Sequence, residues 1–410
     1  MIDPKKRNET LNHLAEITPG SKRTKDGVMI EFDWGFYHVT DILSLNAEGY
    51  KKYGDKWHYY QPICNDDDID RILNQRCAED FLLSVQAEGV LEKPRFLRVF
   101  RKRFNNSGNM SLSSYYNKNN KNDLYLNELS KGNRAKLNSI PAGSALIDRL
   151  NAACVKSKFG NVIFISEKLE YLLYYMNIFI YSENIGFTTE DSCAALMLGL
   201  RIYFGYESLD FDLDPRGDFP KPSKKALDRI SKMQYSFILG HEYSHILLGH
   251  LSDKKLRSEF LFKSESESDK SLKVEHYIHR FKEEYDADWH AIKNIKGNSN
   301  FKEELANAAF TVLLIMHAAQ KADEYMNPRG ANSYRSHPNP IDRIWNIRRR
   351  LDNKLGFQRE ELESSIKYVD KMVDHFLTHH LPFNFDEFER YGSTYFTAYK
   401  NKILRDRFDY

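Results

Sequence analysis

His241-Glu242-Tyr243-Ser244-His245-Ile246-Leu247-Leu248-Gly249-His250 is the stretch from which the rest of the chain is best understood. Ahead of it, Ala226, Leu227, Ile230, Met233, Phe237, Ile238 and Leu239 recur at helical spacing. Pro222-Ser223 offers a helix start with Ser223 as N-cap, and Gly249 offers a stop. On such a helix residues 241 and 245 share one face, one turn apart. Two imidazoles placed so can share a tetrahedral Zn²⁺. Glu242, between them, is positioned to take a proton from water activated there. A four-residue pattern also arises by chance, so the surrounding sequence has to carry the reading.

A third protein ligand is needed, and the register excludes one source. The metzincin pattern requires Gly at 248 and His at 251, where this chain has Leu248 and Leu251. His250 is one residue off and reads as a helix-end residue. The better donor lies in Glu284-Tyr285-Asp286-Ala287-Asp288, within a helical pattern formed by Tyr277, Phe281, Glu284, Asp288 and Ala291. Glu284 would complete a His, His, Glu set with one position open. Asp288, one turn on, would orient the second nitrogen of a ligand imidazole, and Ala287 would let two helices approach closely. His276, His279 and His290 flank Glu284 as substitute ligands. His375 and His379 repeat the i, i+4 spacing with no Glu after the first, and read as surface residues.

A third segment is Ser336-His337-Pro338-Asn339-Pro340-Ile341-Asp342-Arg343-Ile344. With the other two it gives HExxHxxxGH, ExxAD and SHPxxxxRI in that order. Over about residues 223–350 the chain resembles the gluzincin zinc metallopeptidases. The last segment is similar to the signature of the prenyl-protease and heat-shock membrane protease family. Soluble proteins of this kind include phage-exclusion peptidases of the Lit type and ImmA/IrrE-like peptidases. The resemblance implies zinc held by His241, His245 and Glu284, with Glu242 as the catalytic base. It also implies His337 near the reacting carbonyl and Arg343 bracing the site. The expected protein is a zinc endopeptidase holding one Zn²⁺ per chain and acting on one or a few intracellular protein or peptide substrates. Phage defence or stress regulation is the implied setting. The alternative is a zinc-bearing interaction or regulatory protein with a dormant peptidase site. Glu242 counts against that alternative, because a structural zinc has no use for a general base.

Composition bounds the rest. The 410 residues allow two or three domains and a substantial core. A net charge of +2 with 29% charged residues argues for neither nucleic acid nor an anionic membrane as a partner, and neither is expected. Cys64, Cys77, Cys154 and Cys193 are scattered without a CxxC pair and read as free thiols. The N-terminal residues lack an apolar signal-peptide core. The most apolar run, Leu305 to Ala319, is too short to span a bilayer and reads as a buried helix beside the metal helices. A soluble, cytoplasmic protein is expected. The residues carry no signal for an activating partner.

The expected fold class is α+β, predominantly α: a zincin-like metallopeptidase core with an N-terminal α/β region and C-terminal helices. The expected domains are 1–140, 141–355 and 356–410, with an Asn/Ser-rich loop at 105–122 as the first boundary. Residues 28–62 suggest two or three strands broken at Gly35, Gly49 and Gly54. Asn65 should cap a helix running to about Glu88. Arg95 to Phe104 interleaves basic and aromatic residues, which fits a basic strand or helix with a solvated face better than a nucleic-acid site. Asn161 to Ile165 reads as a strand, and as the edge strand that would pair with an extended substrate. Helices are expected over about 166–182 and 189–204. Ser252 to Lys273 reads as a loop placed to cover the cleft.

Overall fold

From Ile63 onward the computed structural model sets a five-stranded sheet among helices, an α+β architecture in which helix predominates. It describes residues 4–33, 35–39, 48–105, 111–251, 256–260, 273–277, 279–327, 337–383 and 392–402. Met1–Pro62 is a separate compact unit. In it, helix Pro4–Ile17 precedes an antiparallel sheet of β1 (Ser21–Arg23), β2 (Val28–Phe32) and β3 (Gly35–Val39). The strands expected beyond residue 48 are instead two short helices, Glu48–Tyr53 and Asp55–Tyr60, and Gly54 turns the chain between them at φ 60°.

The larger unit contains β4 (Ala142–Ala145), β5 (Ala152–Ser157), β6 (Gly160–Ser166), β7 (Leu256–Phe260) and β8 (Lys273–Tyr277), in the order β4-β6-β5-β8-β7. β4 runs parallel to β6, and the other pairs are antiparallel. Val162, Ile163, Phe164 and Ile165 are all fully buried, because helices cover both faces of β6. Helix Ala78–Leu91 packs Phe81, Leu82 and Val85 against Ala153, Val155, Val162 and Phe164 on one face. Helix Lys221–Leu247 packs on the sheet as well, and Glu242 of that helix contacts Cys154 of β5. The run 161–165 is therefore an interior strand and cannot be the substrate-pairing edge; β4 and β7 are the edges. On β4, the carbonyls of Ala142 and Ser144 accept hydrogen bonds from Asn122 Nδ2 (2.7 Å) and Gln86 Nε2 (2.8 Å), which blunts that edge.

Asn65 accepts from Asp68 N–H at 2.8 Å and caps helix Asp66–Leu73, but the helix stops there instead of reaching Glu88. Asp80, in the first turn of the next helix, accepts from Arg76 N–H and Arg71 Nε–H and holds the break. Residues 112–118, expected in a loop, form a helix capped by Ser111, while 106–110 lie outside the described residues. The basic segment is helix Pro94–Asn105. Two of its guanidinium groups turn inward: Arg95 pairs with Asp210 (2.7 Å), and Arg103 with Glu167 (2.9 Å) and Asp212 (2.8 Å). Those two charges serve internal ion pairs.

Leu305 to Ala319 lies inside the long helix Ser299–Met326, buried and packed on helix Lys221–Leu247. Among the described residues, no helix is long and apolar enough to cross a membrane. Between helix Lys221–Leu247 and helix Phe281–Lys293, β7 and β8 form a hairpin where a loop was expected. The rest of the expected cleft cover, 252–255 and 261–272, lies outside the described residues. His375 and His379 sit exposed near the end of helix Arg359–His375, their rings stacked at 4.7 Å.

Candidate metal centre

The helix carrying the HExxH motif begins with Pro220 as N-cap and Pro222 in its first turn, three residues ahead of the expected cap. Ser223 instead donates from Oγ to the Ile185 carbonyl at 2.7 Å. Proline fits this first turn because the N–H it lacks would have no partner there. The helix ends at Leu247 in a left-handed turn: Gly249 has φ 70°, its N–H bonds the Ile246 carbonyl, and the His250 N–H bonds the His245 carbonyl at 2.9 Å. Gly240, one residue before the motif, lies against the Tyr125 ring. A Cβ there would come within 2.6 Å of ring carbons, and the ring is fixed by its hydroxyl donating to the Ala291 carbonyl.

His241, His245 and Glu284 meet in the interior, with one potential ligand atom from each lying within 4.8 Å of the others. The Nε2 atoms of the two imidazoles are 3.1 Å apart. Glu284 places Oε2 3.6 Å from His241 Nε2 and Oε1 3.5 Å from His245 Nε2. Ligand atoms about 2.0–2.1 Å from a tetrahedral zinc ion lie roughly 3.3 Å from one another, so these spacings suit such a site. Among the described residues, Glu284 Oε1 is buried and has no hydrogen-bond partner, a costly state for a carboxylate oxygen that a cation would relieve. The residues present fit a small divalent cation.

Each member of the triad has its own support. His241 Nδ1–H donates to Asp288 Oδ1 at 2.8 Å, which turns Nε2 toward the triad. Arg343 donates to both oxygens of Asp288, each at 2.7 Å, and Asp288 is almost fully buried between them. Arg350 Nη1 reaches Asp286 at 2.9 Å, a second tie between helix Pro340–Arg350 and helix Phe281–Lys293. His337, 55% exposed, lies 2.7 Å through Nδ1 from Glu284 Oε2. Asn339 caps the helix that follows, accepting from Ile341 N–H. Glu242 Oε2 accepts the Cys154 N–H at 2.9 Å, so β5 holds the carboxylate beside the triad. His279 and His290, weighed as substitute ligands, are not in the triad: His279 stacks on His245 at 3.9 Å, and His290 bonds the Asp286 carbonyl. The side chain of His276 is outside the described residues.

Two supports are not legible from residue types and spacing. The Cys154 amide carries no side-chain signature, and the His250 ring, 3.0 Å from His245 through both Nδ1 atoms, depends on the turn at Gly249.

Burial acts on every group of the centre, and polar neighbours reverse its effect at two of them. It pushes the Glu242 carboxyl up to about 7, against the opposing pull of His241, and a cation at the triad would draw it back down. Burial alone would lower His241, but its bonds to Asp288 and Glu284 outweigh that and push it up to about 10. Burial and the neighbouring imidazoles hold His245 well below the usual range. Glu284 is held well below the usual carboxylate range, because its bonds to His241 and His337 outweigh burial. The centre therefore pairs an ionised buried carboxylate with one imidazole that favours a cation's charge and one that stays neutral.

Such a buried His, His, Glu centre, with a carboxyl of nearly neutral pKa beside it, has the composition of a hydrolytic metal site. Residues 215–356 match the peptidase family described as Peptidase U49. The match supports a peptidase and spans every residue of the centre apart from Cys154. No curated protein and no solved structure matches the chain.

Proposed function

We propose that the chain is a zinc-dependent endopeptidase, with His241, His245 and Glu284 as ligands and Glu242 as general base. One observation carries this reading. Two imidazoles and a carboxylate converge in the interior, the carboxylate has an oxygen without a hydrogen bond among the described residues, and the adjacent Glu242 is held by a backbone amide. The chemistry supplied by a bound zinc is Lewis acidity, which polarises an oxygen and lowers the pKa of water.

The protein's own residues do the rest. Glu242 is anchored through Oε2, leaving Oε1 to take a proton from the attacking water and return it to the leaving amine. Asp288, braced by Arg343, fixes the tautomer of His241. His337 is assigned to the reacting carbonyl. Its Nδ1 faces Glu284, so only an imidazolium would have a second N–H, at Nε2, to donate to the developing oxyanion. The substrate is one or a few intracellular proteins, and the resemblance described above points to phage defence or stress regulation as the setting.

Asp288→Ala should weaken zinc affinity by about 10–100-fold, measured by competition with a chromophoric chelator. Function itself is tested by comparing protein N-termini in cells expressing the wild-type chain or Glu242→Gln. New termini confined to the wild type are expected. Identical sets of termini in both would contradict the peptidase assignment.

A further inference from the structure

We infer that His250 is the positioning residue for the ligand His245, so that the Gly249-His250 turn is a working part of the metal centre. The inference rests on the metal-site reading above and adds to it the means by which the second imidazole is aimed.

His245 is almost fully buried. Its Nε2 faces His241 Nε2 at 3.1 Å and Glu284 Oε1 at 3.5 Å, so its Nδ1 looks the other way. There it meets His250 Nδ1 at 3.0 Å. Two ring nitrogens at that distance need one hydrogen between them. With Nε2 committed to a cation, the proton of His245 sits on Nδ1, and His250 Nδ1 has to be the acceptor. The contact thus fixes the tautomers of both rings, as Asp288 does for His241.

The chain reaches this arrangement through its helix end. Had the helix continued, residue 250 would have passed beyond the face that carries 245. The left-handed Gly249 reverses the backbone and brings the His250 N–H onto the His245 carbonyl, which sets the two rings edge to face at 5.2 Å. The face of His245 is covered by the His279 ring, nearly parallel at 24°. One neighbour fixes the direction of the nitrogen and the other limits rotation of the ring. His241 is held by an anion and His245 by a neutral imidazole, so the role assigned to His250 is orientation more than added basicity.

The test uses the full chain with His250→Phe, which keeps a ring but cannot accept, and His250→Gln, whose side-chain carbonyl can. Zinc affinity is read by chelator competition, and the Co²⁺-loaded protein is read by its visible absorption spectrum. His250→Phe should bind zinc about 10–100-fold more weakly than wild type and show an altered Co²⁺ spectrum. His250→Gln should recover most of both. His250→Ala makes the same comparison without requiring room for a phenyl ring. Thermal unfolding of the metal-free proteins separates loss of orientation from loss of fold. Wild-type zinc affinity in folded His250→Phe or His250→Ala would overturn the proposal, as would a Gln variant no better than Phe. Failure of the wild-type chain to bind zinc at all would instead overturn the metal reading on which the proposal stands.

Discussion

Glu242→Gln is expected to leave the zinc in place and to lower peptide-bond turnover by about 10²–10⁴-fold, the usual contribution of a positioned general base. The substitution is nearly isosteric, and the amide oxygen can still accept the Cys154 N–H, so β5 and the HExxH helix should keep their relation. What is lost is the ability to accept a proton. The fold should not suffer, because burial already disfavours the charged form of this side chain. Turnover of the substrate identified from new N-termini, set beside zinc content, checks both halves. Full activity in the variant would refute the assigned mechanism.

Glu284→Ala is expected to abolish tight zinc binding. The carboxylate is the anionic member of the triad and is buried to 1% exposure. Its Oε1 has no hydrogen-bond partner among the described residues, and its Oε2 meets His337. Removing it leaves two imidazoles, one of which is disposed to stay neutral. Two neutral donors fall short of the three protein ligands that a catalytic zinc normally has. Zinc per chain after dialysis should fall from about one to near none. Retention equal to wild type would show that another residue completes the set.

The parts of this site that the sequence disclosed are those set by helix periodicity. His241, His245, Glu284 and Asp288 take their directions from spacing within single helices, and that spacing is local information. Gly249 marked the helix end for the same reason. Sheet order was not readable: a short apolar run such as 161–165 looks alike whether its strand is interior or at an edge, since strand pairing is non-local. The structure places 161–165 in the interior, and the Cys154 amide that holds Glu242 is equally invisible in the sequence. The start of the HExxH helix was misplaced because Ser223 resembles a cap, while its hydroxyl in fact serves the Ile185 carbonyl. His250 was read as a helix-end residue, which it is; only the three-dimensional turn puts its ring on His245.

X-ray absorption at the zinc edge of the zinc-loaded full chain reads out whether two imidazoles and one carboxylate hold the ion. Two imidazole nitrogens at about 2.0–2.1 Å and carboxylate oxygen at about 2.0–2.2 Å are expected, with no sulfur. A chain that takes up no zinc, or a sulfur shell near about 2.3 Å, would contradict that ligand set.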